Sequence, residues 1–254
     1  MKHYPPLKHG ALEEVLEGIW FVQGSVKMPM LMPMKISRSM TVVAVPGTDT
    51  LAVVNSMRLS EEGFAELDKL GKVAHVIRIA GFHGRDDGFY RERYGAKIYA
   101  VEGQSYSRGM DTKKPEPNYL EPDVWLTEDS ELPIPGARLV VLKTSSPPEA
   151  LVLLERDGGV LVTGDSLQNT PSADQYVNFP AKIVMKRMGF YHPHLVGPAW
   201  LQFASPTADD VRSLLDLEFD KVLPGHGMPV LADAKTKYMP SISGPLKGCH
   251  GSAA

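Results

Sequence analysis

The chain has 254 residues, 43% of them hydrophobic and 22% charged, which is enough apolar material for one large α/β domain or two small ones. Its formal net charge is -3 and no basic block interrupts it, which argues against a nucleic-acid surface. No apolar stretch approaches a membrane span, the start at Met1 to Pro6 lacks the apolar region of a secretory signal, and the single Cys249 has no internal partner, so a soluble cytoplasmic protein is expected.

The first third reads as strand-rich. Gly18 to Val22 is a short aromatic and β-branched run. Thr41 to Val45 and Leu51 to Asn55 flank Pro46-Gly47-Thr48-Asp49, which has the chemistry of a hairpin turn. Ser60 then offers an N-cap to a helix with Glu61 and Glu62 in its first turn, and Phe64, Leu67 and Leu70 recur behind them at helical spacing. Val73 to Ile79 returns to strand and leads into the loop Ala80 to Gly88. A short helix through Tyr90 and Arg93 precedes a strand at Ala96 to Val101.

The second half loosely repeats this order. Arg138 to Lys143, Ala150 to Glu155 and Val160 to Thr163 read as consecutive strands, the last two joined at Gly158-Gly159. A mixed segment with one or two helices follows Gly164-Asp165-Ser166. Ser205-Pro206-Thr207 begins another helix, with acids in its first turn, and Phe219 to Leu223 is a last strand ending in Pro224-Gly225-His226-Gly227. With no Ser/Gly linker or short repeat, one domain over residues 1–254 is the simplest reading. Two strand-rich halves, each finishing in helix, suggest two sheets packed together with helices outside.

Three of these loops offer metal-ligand chemistry: His83 with Asp87 after one strand, Asp165 after another, and His226 after the last. Imidazole and carboxylate suit zinc, iron and manganese. That distribution, with glycine beside each ligand, resembles the metallo-β-lactamase superfamily over roughly Gly18 to Pro229. The resemblance implies an α/β fold of the four-layer αββα type, two mixed sheets face to face with helices outside. It also implies hydrolase-like ancestry.

Members of that superfamily usually carry His-x-His-x-Asp-His in the first loop. Here the stretch is His83-Gly84-Arg85-Asp86-Asp87-Gly88, so His83 and Asp87 match, while Arg85 and Gly88 stand where two further histidines belong. Ser146, in Ser145-Ser146-Pro147-Pro148, takes the place of another family histidine, and Asp165 and His226 match the bridging carboxylate and the last histidine. The resemblance therefore implies no dinuclear centre. It leaves one divalent metal (zinc, iron or manganese) at Asp87, Asp165 and His226, with His83 or water, or no metal at all. In the active reading, Asp87 and Asp165 are catalytic and the substrate is a small molecule with a carbonyl or similar electrophile. The other reading is a metal-free binding or interaction protein on the same scaffold. Arg85 bears on the choice, because a guanidinium cannot coordinate a cation but can neutralise Asp87 or Asp165.

His192-Pro193-His194 lies between Asp165 and His226 and offers replacement site-lining side chains, although a solvent-exposed loop is the plainer reading. Met28-Pro29-Met30-Leu31-Met32-Pro33-Met34 alternates thioethers, as in an apolar lid over a pocket or a contact between two copies of the chain. No Gly-x-Ser-x-Gly elbow and no phosphate-cradling Gly-x-x-x-x-Gly-Lys occurs.

Overall fold

The computed structural model describes residues 3–28, 33–104, 107–108, 111–115, 120–247 and 249. The strands and helices of its first part are β1 (Glu13–Leu16), β2 (Ile19–Lys27), β3 (Lys35–Ala44), β4 (Thr50–Val54), α1 (Glu61–Leu70), β5 (Lys72–Arg78), α2 (Asp87–Tyr94) and β6 (Lys97–Val101). A small hairpin, β7 (Ser107–Arg108) with β8 (Asp111–Pro115), and then β9 (Val124–Leu126) follow. The second part holds β10 (Ala137–Leu142), β11 (Glu149–Leu154), β12 (Val160–Val162), β13 (Leu167–Gln168), α3 (Phe179–Arg187), β14 (Leu195–Val196), α4 (Pro198–Ala204), α5 (Ala208–Arg212), β15 (Lys221–Leu223) and α6 (Ala234–Ser243).

The larger sheet has the order β1-β2-β3-β4-β5-β6-β9, antiparallel through β4 and parallel from β4 to β9. The smaller has the order β10-β11-β12-β15, with β12 and β15 parallel. Strand alternation sorts their side chains into layers. Ala52, Val54, Ile77 and Val101 of the larger sheet meet Ala150, Val152, Val162 and Leu223 of the smaller in one buried cluster. The opposite faces carry Leu51, Val53 and Val76 against Phe64, Leu67 and Tyr90 of α1 and α2, and Leu151, Leu161 and Val222 against Trp200, Val211 and Tyr238 of α4 to α6. The result is the expected four-layer αββα sandwich.

Local signals account for most element ends. Ser60 caps α1 by accepting the Gly63 N–H, and Gly95 closes α2 in the left-handed conformation (φ 66°) that glycine adopts without steric cost. Two expectations shift. Strand β2 runs on from Val22 to Lys27, because pairing with β3 overrides the weak strand preference of Gln23-Gly24-Ser25. Helix α5 begins after Pro206, at Ala208, where Thr207 accepts the Asp210 N–H. Among the described residues no helix is long and apolar enough to cross a membrane.

Candidate metal centre

The parallel strands decide which loops meet. His83 lies in the loop beyond β5, Asp165 in the turn beyond β12 and His226 in the turn beyond β15. Because β12 and β15 are parallel neighbours, paired Val162 to Leu223, the Asp165 and His226 turns leave the sheet side by side. They touch backbone to backbone: a Cβ on Gly225 would lie 2.5 Å from the Gly164 carbonyl oxygen, so no larger residue fits there. This close approach explains Gly225, while Gly164 is required by Ala80, whose Cβ would lie 2.4 Å from one added there.

One atom each of His83, Asp165 and His226 falls within 4.8 Å of the others. His226 Nε2 is 2.9 Å from Asp165 Oδ1, and His83 Nε2 is 3.5 Å from Asp165 Oδ2. The His226 Nδ1 stands 2.7 Å from the Ser37 carbonyl, which can only accept, so Nδ1 carries a proton and Nε2 is the atom turned to the site. Without a metal, Nε2 must be protonated as well to face a carboxylate. Burial opposes that charge, but the bond to Asp165, its charge and the Ser37 carbonyl outweigh burial and raise the His226 pKa. Burial likewise works against the Asp165 carboxylate, and His83 and His226 more than reverse this, holding its pKa well below the usual carboxylate range.

A buried carboxyl that sequence reading did not single out stands behind this group. Glu149, the first residue of β11, accepts the Ser166 N–H through Oε1 at 2.7 Å. Burial, and then the charge of Asp165, push its pKa up to about 8. Its native pKa exceeds its unfolded one, so the stability it contributes is fully present below the unfolded value and is lost as pH rises to about 8. Glu149→Gln keeps the acceptor without the ionisation. In urea titrations with chelator present, the variant should gain on the parent from about pH 4.5 to about 8 and hold that gain above. A difference that does not vary with pH would show that Glu149 is ionised in the folded chain.

The remaining expected site residues separate. Asp87 opens α2 and is wholly buried, with Oδ1 accepting from Ser56 Oγ at 2.6 Å and Oδ2 3.4 Å from Arg78 Nη1. Burial raises its pKa against the pull of Arg78 and Ser56. Of the four expected ligands His83, Asp87, Asp165 and His226, the structure brings His83, Asp165 and His226 together and leaves Asp87 outside that cluster. The cation at Asp87 is Arg78 and not Arg85. Gly84 makes room for this pair, since at its φ of 107° a Cβ would meet Arg78 Cδ at 2.5 Å. Arg85 donates to the Lys27 carbonyl at 3.0 Å and lies over the Tyr4 ring at 4.5 Å, which replaces its expected contact with Asp87 or Asp165.

Ser146 is exposed and its N–H donates to the Ala204 carbonyl, outside the cavity at the cluster. His192 and His194 also lie outside it; His192 is exposed, and His194 packs edge-on against Tyr238. These three are corrections to the site-lining set. They fail because the β13–β14 pairing and the turn before β11 carry those side chains away from the ligand edge.

The cluster floors a cavity of about 150 Å³. Val26, Met34, Ile36, Phe82, Met185 and Phe203 are among its apolar walls, and Arg38 and Arg85 are its cations. Met28 and Met34, at the two ends of the Met-rich stretch, line it and are joined by a 2.9 Å backbone bond; Pro29 to Met32 lie outside the described residues.

The donor set fits one divalent ion. Two imidazoles and a carboxylate with an open position are a common catalytic zinc set and also suit ferrous iron. His83 Nδ1 and Asp165 Oδ2 are buried without a hydrogen-bond partner among the described residues, and buried polar atoms rarely remain so.

No family model and no curated relative matches the sequence. Solved structures do match. A metallo-β-lactamase from Hirschia baltica is 14% identical with a TM-score of 0.57, over 95% of this chain and 99% of that one. The mono-zinc form of the metallo-β-lactamase FIM-1 from Pseudomonas aeruginosa is 13% identical with a TM-score of 0.52, over 95% and 98%. A flavo di-iron protein from Thermotoga maritima is 14% identical with a TM-score of 0.59, over 94% of this chain and 62% of that one.

Proposed function

From the premise that the chain has the metallo-β-lactamase fold, we propose that it is a mononuclear metal-dependent hydrolase of a small-molecule substrate, with His83, Asp165 and His226 as the ligands. The carrying observation is the convergence of two imidazoles and one carboxylate, from three strand ends, on the floor of an apolar cavity. Neighbours of this fold are described as mono-zinc and di-iron proteins, which supports zinc or iron as the ion.

Such an ion supplies Lewis acidity and lowers the pKa of water to near neutrality. The chain's own residues supply the rest. Ser37 fixes the His226 tautomer, so that Nε2 offers a lone pair once its proton is lost. Asp165 stays ionised between the two imidazoles, so that it would offer the ion a charged oxygen. Glu149 braces the Asp165 turn through the Ser166 N–H. The apolar walls keep bulk water out and strengthen every charge interaction inside.

The test uses zinc-, iron- and manganese-loaded protein against esters, thioesters and lactones with short apolar acyl chains. Metal-dependent turnover that Asp165→Asn abolishes is expected. Equal turnover by parent and variant, or none with any loaded metal, would refute hydrolysis at this centre.

A further inference from the structure

A second cavity, of about 80 Å³, shares Val26, Arg38 and Arg85 with the first and is otherwise lined by Tyr4, Arg58, Lys27, Asp86 and their neighbours. Its charge is one-sided. Among its described lining residues, three guanidiniums and one ammonium accompany a single carboxylate, Asp86, which already serves the Arg38 guanidinium and the Arg58 backbone N–H. Arg58 rests its guanidinium on the Phe89 ring at 3.6 Å, and Arg85 rests on the Tyr4 ring. Arg38 is 94% buried by its 6% exposure, yet its Nε has no hydrogen-bond partner among the described residues, and neither does the buried Nε of Arg58. Buried donors of permanent charge call for an acceptor. The cavity has room for a small oxyanion.

We propose that this cavity is a subsite for an anionic oxygen group, a carboxylate or phosphate, on a substrate whose apolar portion fills the adjoining methionine-lined chamber. Guanidinium forks match the planar geometry of such groups and bind them more strongly than neutral acceptors. The shared wall at Val26, Arg38 and Arg85 lets one molecule span both cavities, with its anionic end held away from the ligand cluster and its apolar body beside it. The inference deepens the hydrolase reading by naming the substrate class, an amphipathic acid, and it rests on that reading only for the reaction. The subsite itself is tested without metal.

Isothermal titration of chelator-treated protein with hexanoate, hexyl phosphate and 1-hexanol separates the two parts of the site. At least one anion should bind about tenfold or more tightly than the alcohol, the scale of one charge-assisted hydrogen bond. Arg58→Gln and Arg85→Gln should each remove most of that preference and leave 1-hexanol unchanged. His226→Gln should leave it intact, which distinguishes the subsite from charge at the metal ligands. Hexanoate and hexyl phosphate ranked against each other decide which anion the cavity takes. Equal binding of all three probes by the parent would overturn the proposal whether or not the arginine variants fold, as would an anion preference lost only in His226→Gln. Neither result would touch zinc binding, so failure of the subsite and failure of the metal reading are told apart.

Discussion

Asp165→Asn should lower zinc affinity by about a hundredfold or more, measured by competition with a chromophoric chelator. Asp165 is the one carboxylate of the cluster and stands between both imidazoles, 2.9 Å from His226 Nε2 and 3.5 Å from His83 Nε2. An amide oxygen carries no net charge to offset the ion, while it still accepts from His226, so the fold should survive the change. The substitution thus separates ligand loss from unfolding. Zinc binding that survives in a folded Asp165→Asn chain would place the ion elsewhere.

Replacing Asp87 has its effect on a different property. Arg78 is 1% exposed and its guanidinium cannot shed its proton, so Asp87→Ala strips a buried cation of the carboxylate beside it. Loss of one partner of a buried pair costs about 3–5 kcal/mol, and the urea midpoint should fall accordingly. Asp87→Asn should cost less, since an amide oxygen can accept from Ser56 or Arg78, and its zinc affinity should stay within about threefold of the parent, less than the loss seen on removing even an outer-shell partner. A folded Asp87→Asn chain with zinc affinity reduced a hundredfold would restore Asp87 as a ligand. Sequence pattern alone assigned it that role; the buried pair with Arg78 argues for a structural one.

The difference between Asp87 and Asp165 shows what the sequence carries. The order of strands and ligand loops was legible because strand alternation and glycine-flanked turns are local signals, and His83, Asp165 and His226 stand where that order expects them. Charge pairing was not legible, because it depends on which strands become neighbours. Arg85 is two residues from Asp87 in sequence, but Gly84 turns the loop so that Arg78, from the end of β5, reaches the carboxylate first. One local trace existed: Arg78 interrupts an otherwise apolar Val76-Ile77-Arg78-Ile79-Ala80 run, where a charge must find a buried partner. Glu149 left a similar trace at the head of a fully buried strand. The Ser37 carbonyl that fixes His226 left none, since any residue type supplies a carbonyl.

The site is expected to hold one metal at two imidazoles and one carboxylate. X-ray absorption at the zinc edge, with elemental analysis of the same sample, on protein loaded and then freed of excess metal, reads ligand type and stoichiometry together. One zinc per chain with two imidazole nitrogens in its shell is expected, falling to one in His83→Gln. Two tightly held zinc ions per chain, or a shell unchanged by His83→Gln, would contradict it.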